Sequence, residues 1–270
     1  MIHVSKNRIT DTKEIDMNSK LREYSGFDRL KLERKPVGVK FLPTKPEGIE
    51  RLKESRAMCE MFKEAQEGAP FYVQEEDFVC VEPMILGMRD PEPALISGAA
   101  GGSSGLFKEA RANRKLYQYV PKMLKNSVSY VVFSPVDQLT FDPDVMIVTA
   151  NISQARTLLR SDCYTTGDPW GCQGTPVLAC AWMYVYPVVT GKMNFTITGL
   201  SMGMQAINMD YPEGLFLISI PWNMLDTVLE NIQDDSIYHD FRAADRDEHF
   251  KRFDVRLDQL RKEIPSYRKK

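Results

Sequence analysis

The chain is poor in the residues that carry the most recognisable chemistry. It has three histidines in 270 residues, His3, His239 and His249, and none lies beside the end of an apolar segment, where the base of a Ser-His-Asp triad would stand. Ser103 in GGSSG (101–105) and Ser201 in GLSMG (199–203) fit the letters G-x-S-x-G, but with no histidine placed to act as their base a serine hydrolase is not expected. There is no C-x-x-C pair, the spacing that makes a metal clip cheap to organise. No segment approaches the roughly 18 uninterrupted apolar residues of a membrane span, and the first twenty residues contain no signal-peptide core. Charge of one sign is missing too: 35 basic against 37 acidic residues leave a net charge of −2, so there is no field to gather nucleic acid or an anionic membrane. These absences lead to the expectation of a cytoplasmic protein that binds neither.

What is present is an ordinary globular composition, 43% hydrophobic, able to fill a core without staples. Residues 1–18 are polar and aperiodic and read as a mobile arm. KLREYSGF reads as a short helix ended near Gly26, VGVKFL (37–42) as a strand bounded by prolines, and Pro46 to Ala65 as one helix with Ile49, Leu52, Met58, Met61 and Phe62 inward, closed by Gly68. Phe71 to Val73 is a short strand, and helical spacing returns from Phe107 toward Leu124. VSYVVFSP (128–135) and PDVMIVTA (143–150) are nearly continuous apolar runs, the pattern of strands covered on both faces. Asn151 then offers an N-cap with Gln154 three residues on, a capping-box spacing. LACAWMYVYPVV (178–189), MNFTITG (193–199) and GLFLISIP (214–221) read as strands and Trp222 to Ile232 as a helix. The pattern predicts an α+β fold: a single mixed domain over 19–232, with a central β-sheet and flanking helices, plus a C-terminal helix in 233–270. Phe250, Phe253, Leu257, Leu260 and Ile264 form a two-heptad seam on that helix, suited to docking on its own domain or to a homodimer contact.

Five cysteines, Cys59, Cys80, Cys163, Cys172 and Cys180, are the first candidates for chemistry. Their odd number and wide spread do not resemble a secreted disulfide framework, so reduced thiols are expected. Free cysteines are also commonly core residues. The densest stretch is GDPWGCQGTPVLAC (167–180), in which Cys172 and Cys180 stand eight apart, too far for a local clip. Either it contributes to a composite site or it is a rigid corner with sulfur in it. GAAGGSSG (98–105) invites a phosphate-loop reading, but Gly105 is followed by Leu106 and Phe107 rather than Lys and Ser or Thr, and G-x-G-x-x-G does not fit. It remains a flexible loop or an anion cradle through Gly101, Gly102, Ser103 and Ser104. The cluster Met193, Met202, Met204 and Met209 reads as core packing.

Taken in order, the VGVKFL strand, MCEMFKEAQEGAPFYVQEEDFVC (58–80), LGM (86–88), PDVMIVTANISQARTLL (143–159) and IPWNML (220–225) resemble the uncharacterised ArCR family, a domain of unknown function frequent in anaerobes. The resemblance spans about Phe27 to Ile232. It implies that Cys59 and Cys80 belong to a family pattern, whereas TITGLSMGMQ lacks the Cys or Arg that relatives often carry in that turn. It implies no activity. The leading expectation is a protein that binds a small molecule or cofactor through Gly101, Gly102, Ser103, Ser104, Asn151 and Trp170, beside the thiols. The alternatives are a thiolate-bound metal or iron–sulfur cluster on Cys59, Cys80, Cys172 and Cys180, with a redox or accessory role, and a scaffold pairing through the C-terminal helix.

Overall fold

The computed structural model describes residues 22–200, 211–238, 251, 255–259 and 262. Seven strands form one open sheet: β1 Val37–Leu42, β2 Glu50–Arg51, β3 Phe71–Gln74, β4 Tyr130–Pro135, β5 Val145–Ala150, β6 Asn194–Ile197 and β7 Phe216–Pro221. Their order is β2-β3-β4-β1-β5-β7-β6. Only the β2–β3 pair is parallel. Val39 lies opposite Phe133 on one side and Val145 on the other, which puts Val37, Val39, Phe133, Val145 and Ile147 on one face. All six residues of β5 are buried, because both faces of the sheet are covered.

Helix α1, Met58–Glu67, lies on that face against β1 and β4. Its Met58, Met61, Phe62 and Ala65, at helical spacing, join the core with Phe71, Phe133 and Tyr184. Phe133 is stacked on Phe71 at 5.4 Å between ring centroids and meets Tyr184 edge-on at 6.2 Å. Four helices follow β3: α2 Glu82–Ile85, α3 Pro93–Ile96, α4 Ala99–Ser103 and α5 Ala110–Tyr119. Leu116 and Tyr117 of α5 extend the same core. The opposite face is closed over β5 and β7 by α6, Ile152–Tyr164, and by a later helix, Trp222–Gln233, which buries Leu225, Val228, Leu229 and Ile232. The architecture is α+β, with a mixed sheet between helices.

A ring of three hydrogen bonds pins the chain where it returns at Tyr211. The Tyr211 hydroxyl donates to Gln66 Oε1 at 2.9 Å, Gln66 Nε2 donates to Thr149 Oγ1 at 3.1 Å, and the two hydroxyls of Thr149 and Tyr211 are bonded at 2.6 Å. All three residues are buried, so each needs the other two. The Asn151 cap forms as its spacing implies: Oδ1 accepts Ser153 N–H and Gln154 N–H, both at 3.0 Å, and Gln154 Oε1 accepts Asn151 N–H at 2.8 Å.

Several expectations need correction. Residues 178–189 are not a strand: Ala181–Val185 is a π-helical turn that runs into α7, Tyr186–Thr190. A short apolar run buried on every side has no period to tell strand from helix, and Ala181 through Val185 are all buried. The helix expected from Pro46 begins only at Met58, because Glu50 and Arg51 pair as β2 with Phe71 and Tyr72, and Ile49 packs into the small cluster of Leu42, Tyr72 and Val132. The first helix is a 3-10 helix, Ser25–Leu30, which passes through Gly26 rather than ending there. GAAGGSSG is a helical turn and not a loop, and the helix expected from Phe107 starts at Ala110.

Contact density divides the chain into 1–233 and 234–270. In the second unit Asp235–Tyr238 is a 3-10 turn and 255–259 are helical, while Phe250, Phe253, Leu260 and Ile264 of the seam, like the arm at 1–18, lie outside the described residues. No helix of the described residues is long and apolar enough to cross a membrane.

Two substitutions measure these contacts by chemical denaturation. Asn151→Ala loses the cap of α6 and is expected to destabilise by about 1 kcal/mol. Tyr211→Phe opens the buried ring and leaves the carbonyl oxygen of Gln66 without its donor, for an expected loss of about 1–3 kcal/mol.

Candidate functional site

The capping position of α1 is Ala57, which has no side chain to accept the first amide of the helix. Two glutamates supply the acceptors. Glu60 reaches back so that Oε2 accepts Ala57 N–H at 2.9 Å, and Glu82, at the start of α2, accepts Met58 N–H on Oε1 at 3.0 Å. Glu82 is only 2% exposed, and its second oxygen, Oε2, is buried without a hydrogen-bond partner among the described residues. Burial pushes this carboxyl up from the ordinary range, the amides of Met58, Glu82 and Cys80 oppose the shift, and the charge of Glu60 adds to it.

Three of the five thiols feel the charge of this carboxyl, and two of them, Cys59 and Cys180, pack against the same core. Cys59 directly follows Met58 and is half-buried; burial first, then the charges of Glu82 and Glu60, push its thiol up to about 12. Cys80 is an exposed residue on the bend two positions before Glu82, and shelter of its sulfur together with Glu82 raises its pKa. Cys180 is half-buried, with a thiol raised well above the ordinary value by its enclosure and then by Glu82, Cys80 and Cys59. It is presented by an unusual backbone, between Leu178 at φ 61° and the π-helical turn at Ala181–Val185, which packs on α2. Tyr184 from that turn donates to Met58 O at 3.4 Å, and its hydroxyl is raised by burial and by the same acids. Burial, and then the charge of Cys80, raises the hydroxyl of Tyr117 of α5. Glu82, the three thiols and the hydroxyls of Tyr184 and Tyr117 are thus all held toward their neutral forms by burial.

The remaining candidates sit elsewhere. Cys172 is exposed and donates its S–H to Phe195 O at 3.1 Å, away from Glu82, and Cys163 lies in α6 with its S–H toward Arg160 O at 3.5 Å. Among the described residues no three His, Cys, Asp or Glu side chains are grouped so that they could hold a metal ion. Gly101 and Gly102 let α4 lie directly on α5: a Cβ on Gly101 would come within 2.4 Å of Asn113 Nδ2, and one on Gly102 within 3.1 Å of Ala110. The hydroxyls of Ser103 and Ser104 return to Ala100 O and Gly101 O within their own turn. Asn151 spends its side-chain oxygen on the cap of α6, across the sheet from α1. Trp170 is 49% exposed and meets Phe195 edge-on at 6.2 Å.

The 167–180 stretch is a strap along β6 followed by the start of the π-helical segment. Asn194, 2% exposed, grips the strap by its backbone: Oδ1 accepts Gln173 N–H and Nδ2 donates to Gln173 O, each at 2.9 Å. Trp182 Nε1 donates to Thr175 Oγ1 at 2.8 Å. The stretch thus divides, with Cys172 on the strap and Cys180 at the Glu82 centre.

Sequence reasoning missed Glu82 and Tyr184. A signal existed for the first: Glu82 is the single charged residue in VCVEPMILGM, an acid isolated in an apolar run. A pKa near 12 leaves Cys59, at pH 8, with about a thousandth of the thiolate of an ordinary cysteine of pKa 9.0. Alkylation followed by peptide mass spectrometry should show Cys59 reacting at least about a hundredfold slower than a cysteine in an unstructured peptide. Glu82→Gln should speed Cys59 at alkaline pH, where the carboxylate is charged, and leave Cys172 unchanged.

Residues 28–231 match the model of the family described as uncharacterised ArCR, a domain of unknown function. The uncharacterised protein MJ0308 of Methanocaldococcus jannaschii is 28% identical over 163 residues, covering 58% of this chain and 68% of the relative. No solved structure matches. The matched span runs from the 3-10 helix before β1 to the helix after β7, taking in the sheet, Glu82 and its thiols, and on that basis the chain belongs to the uncharacterised ArCR family.

Proposed function

We propose that the protein binds a small molecule whose polar group meets the Glu82 carboxyl, between the thiols of Cys59, Cys80 and Cys180. One observation carries this reading: Glu82 Oε2 is buried and unpartnered among the described residues. Leaving such an oxygen without a partner costs about 1–3 kcal/mol, and apolar side chains of similar size would avoid that cost. The cap on Met58 N–H uses one oxygen only and leaves the second for something else. Cys80 and Val79, both exposed, mark the side from which a ligand reaches it. Loops and helix starts that converge on one polar group in an apolar wall are the ordinary material of a binding site. Neutral thiols beside it favour a role as soft contacts rather than as nucleophiles, since thiolate is the reactive form. The metal or iron–sulfur reading has less support, because Cys172 belongs to the strap and the other three thiols form no ready ligand set among the described residues.

Cys80 serves as the reporter. The low-molecular-mass fraction of an anaerobic extract of the source cells is expected to slow alkylation of Cys80 at least tenfold in the wild type, with no effect on Cys172. In Glu82→Gln, which retains the acceptor for Met58 N–H, that protection should be lost. Equal labelling of Cys80 with and without the fraction would overturn the reading.

A further inference from the structure

The ligand's chemistry can be narrowed, on the basis of the proposed binding site. The groups that act on one another around Glu82 are Glu60, Cys59, Cys80, Cys180 and Tyr184, drawn from α1, the bend before α2 and the π-helical turn, and the charge of Cys80 acts on Tyr117 of α5. Among the described residues no lysine, arginine or histidine forms an ion pair or hydrogen bond with Glu82. A carboxyl 2% exposed would ordinarily be matched by a cation or by donors to both oxygens, and here Oε1 accepts Met58 N–H while Oε2 has no hydrogen-bond partner among the described residues. An anion brought to this place would be repelled by the Glu82 carboxylate. A neutral donor would satisfy Oε2 without offsetting the burial that disfavours the ionised carboxyl, whereas a cation donating there stabilises the carboxylate form. A metal ion would want three or more ligands already assembled, and no such group exists among the described residues. What completes the centre is a positive charge that brings its own N–H donor.

We propose that the ligand is an organic cation, an ammonium or guanidinium compound, whose N–H group donates to Glu82 Oε2 and whose body packs against the sulfur atoms of Cys59 and Cys180. Glu82 is then the specificity-determining residue: its charge selects the cation, and its fixed position, tied through Oε1 to the first amide of α1, selects where the N–H must lie. The soft, weakly polar thiol walls exclude water without competing for the cation.

The test separates this inference from the binding reading beneath it. The low-molecular-mass extract is passed in parallel over cation-exchange, anion-exchange and chelating resins, and each flow-through and eluate is assayed for protection of Cys80 in the wild type and in Glu82→Gln. The expected result is that protecting material is retained by the cation exchanger, recovered on elution and unaffected by the chelating resin, with protection falling at least tenfold in Glu82→Gln. Protection that flows through the cation exchanger, or that is retained by the anion exchanger, overturns the cation while leaving a binding site. Removal by the chelating resin identifies a metal ion and overturns it likewise. If no fraction, including the untreated extract, protects Cys80, the binding reading itself falls and the inference falls with it.

Discussion

A sheet whose central strands are buried on both faces must be closed by helices on both sides, and each helix brings unpaired amides into a layer that excludes water. β1 and β5 impose this condition here, and α1 meets it in a particular way. Its capping position is an alanine, so its first amides are satisfied by Glu60 and by Glu82 from the next helical segment. The seating of α1 on the sheet and the path of the chain through α2 are thereby tied by one carboxyl. Cys59 and Cys80 are neighbours of Met58 and Glu82 in sequence, so that tie also places them.

The electrostatic character of the centre follows from composition and burial together. Carboxyl, thiol and phenol all lose charge when water is removed, and each raises the others further. A set of this kind is poorly suited to generating a nucleophile at neutral pH and well suited to accepting positive charge. The proposed role of the thiols as soft contacts therefore rests on Glu82 rather than on the cysteines themselves.

The elements legible in the sequence are those decided locally. The apolar runs of β4 and β5 and the Asn151–Gln154 pair depend on near neighbours, and they form where they read. The run from Leu178 to Val189 was illegible as a helix because burial on all sides removes the alternation that separates the two periods. The helix start at Met58 was obscured because Ile49 and Leu52 imitate its spacing while serving a different cluster and a two-residue strand. Of the thiols, Cys59 and Cys80 were legible as a pair through the family resemblance. That Cys180 joins them and Cys172 does not is a matter of tertiary path, set by a left-handed Leu178 and a π-helical turn with no local signature.

The clasp at Asn194 bears on how the family's sequences can vary. Asn194 holds the strap through the backbone N–H and C=O of Gln173, and nothing lies within 4 Å of where a Cβ would stand on Gly171 or Gly174. Positions 171 and 174 therefore have room to take side chains while the path of the strap is kept, provided that position 194 retains a short amide. A comparison that scored the strap by its own residues would find it unrelated from one relative to the next, and the trace of its common path would appear in a different strand, at a single asparagine.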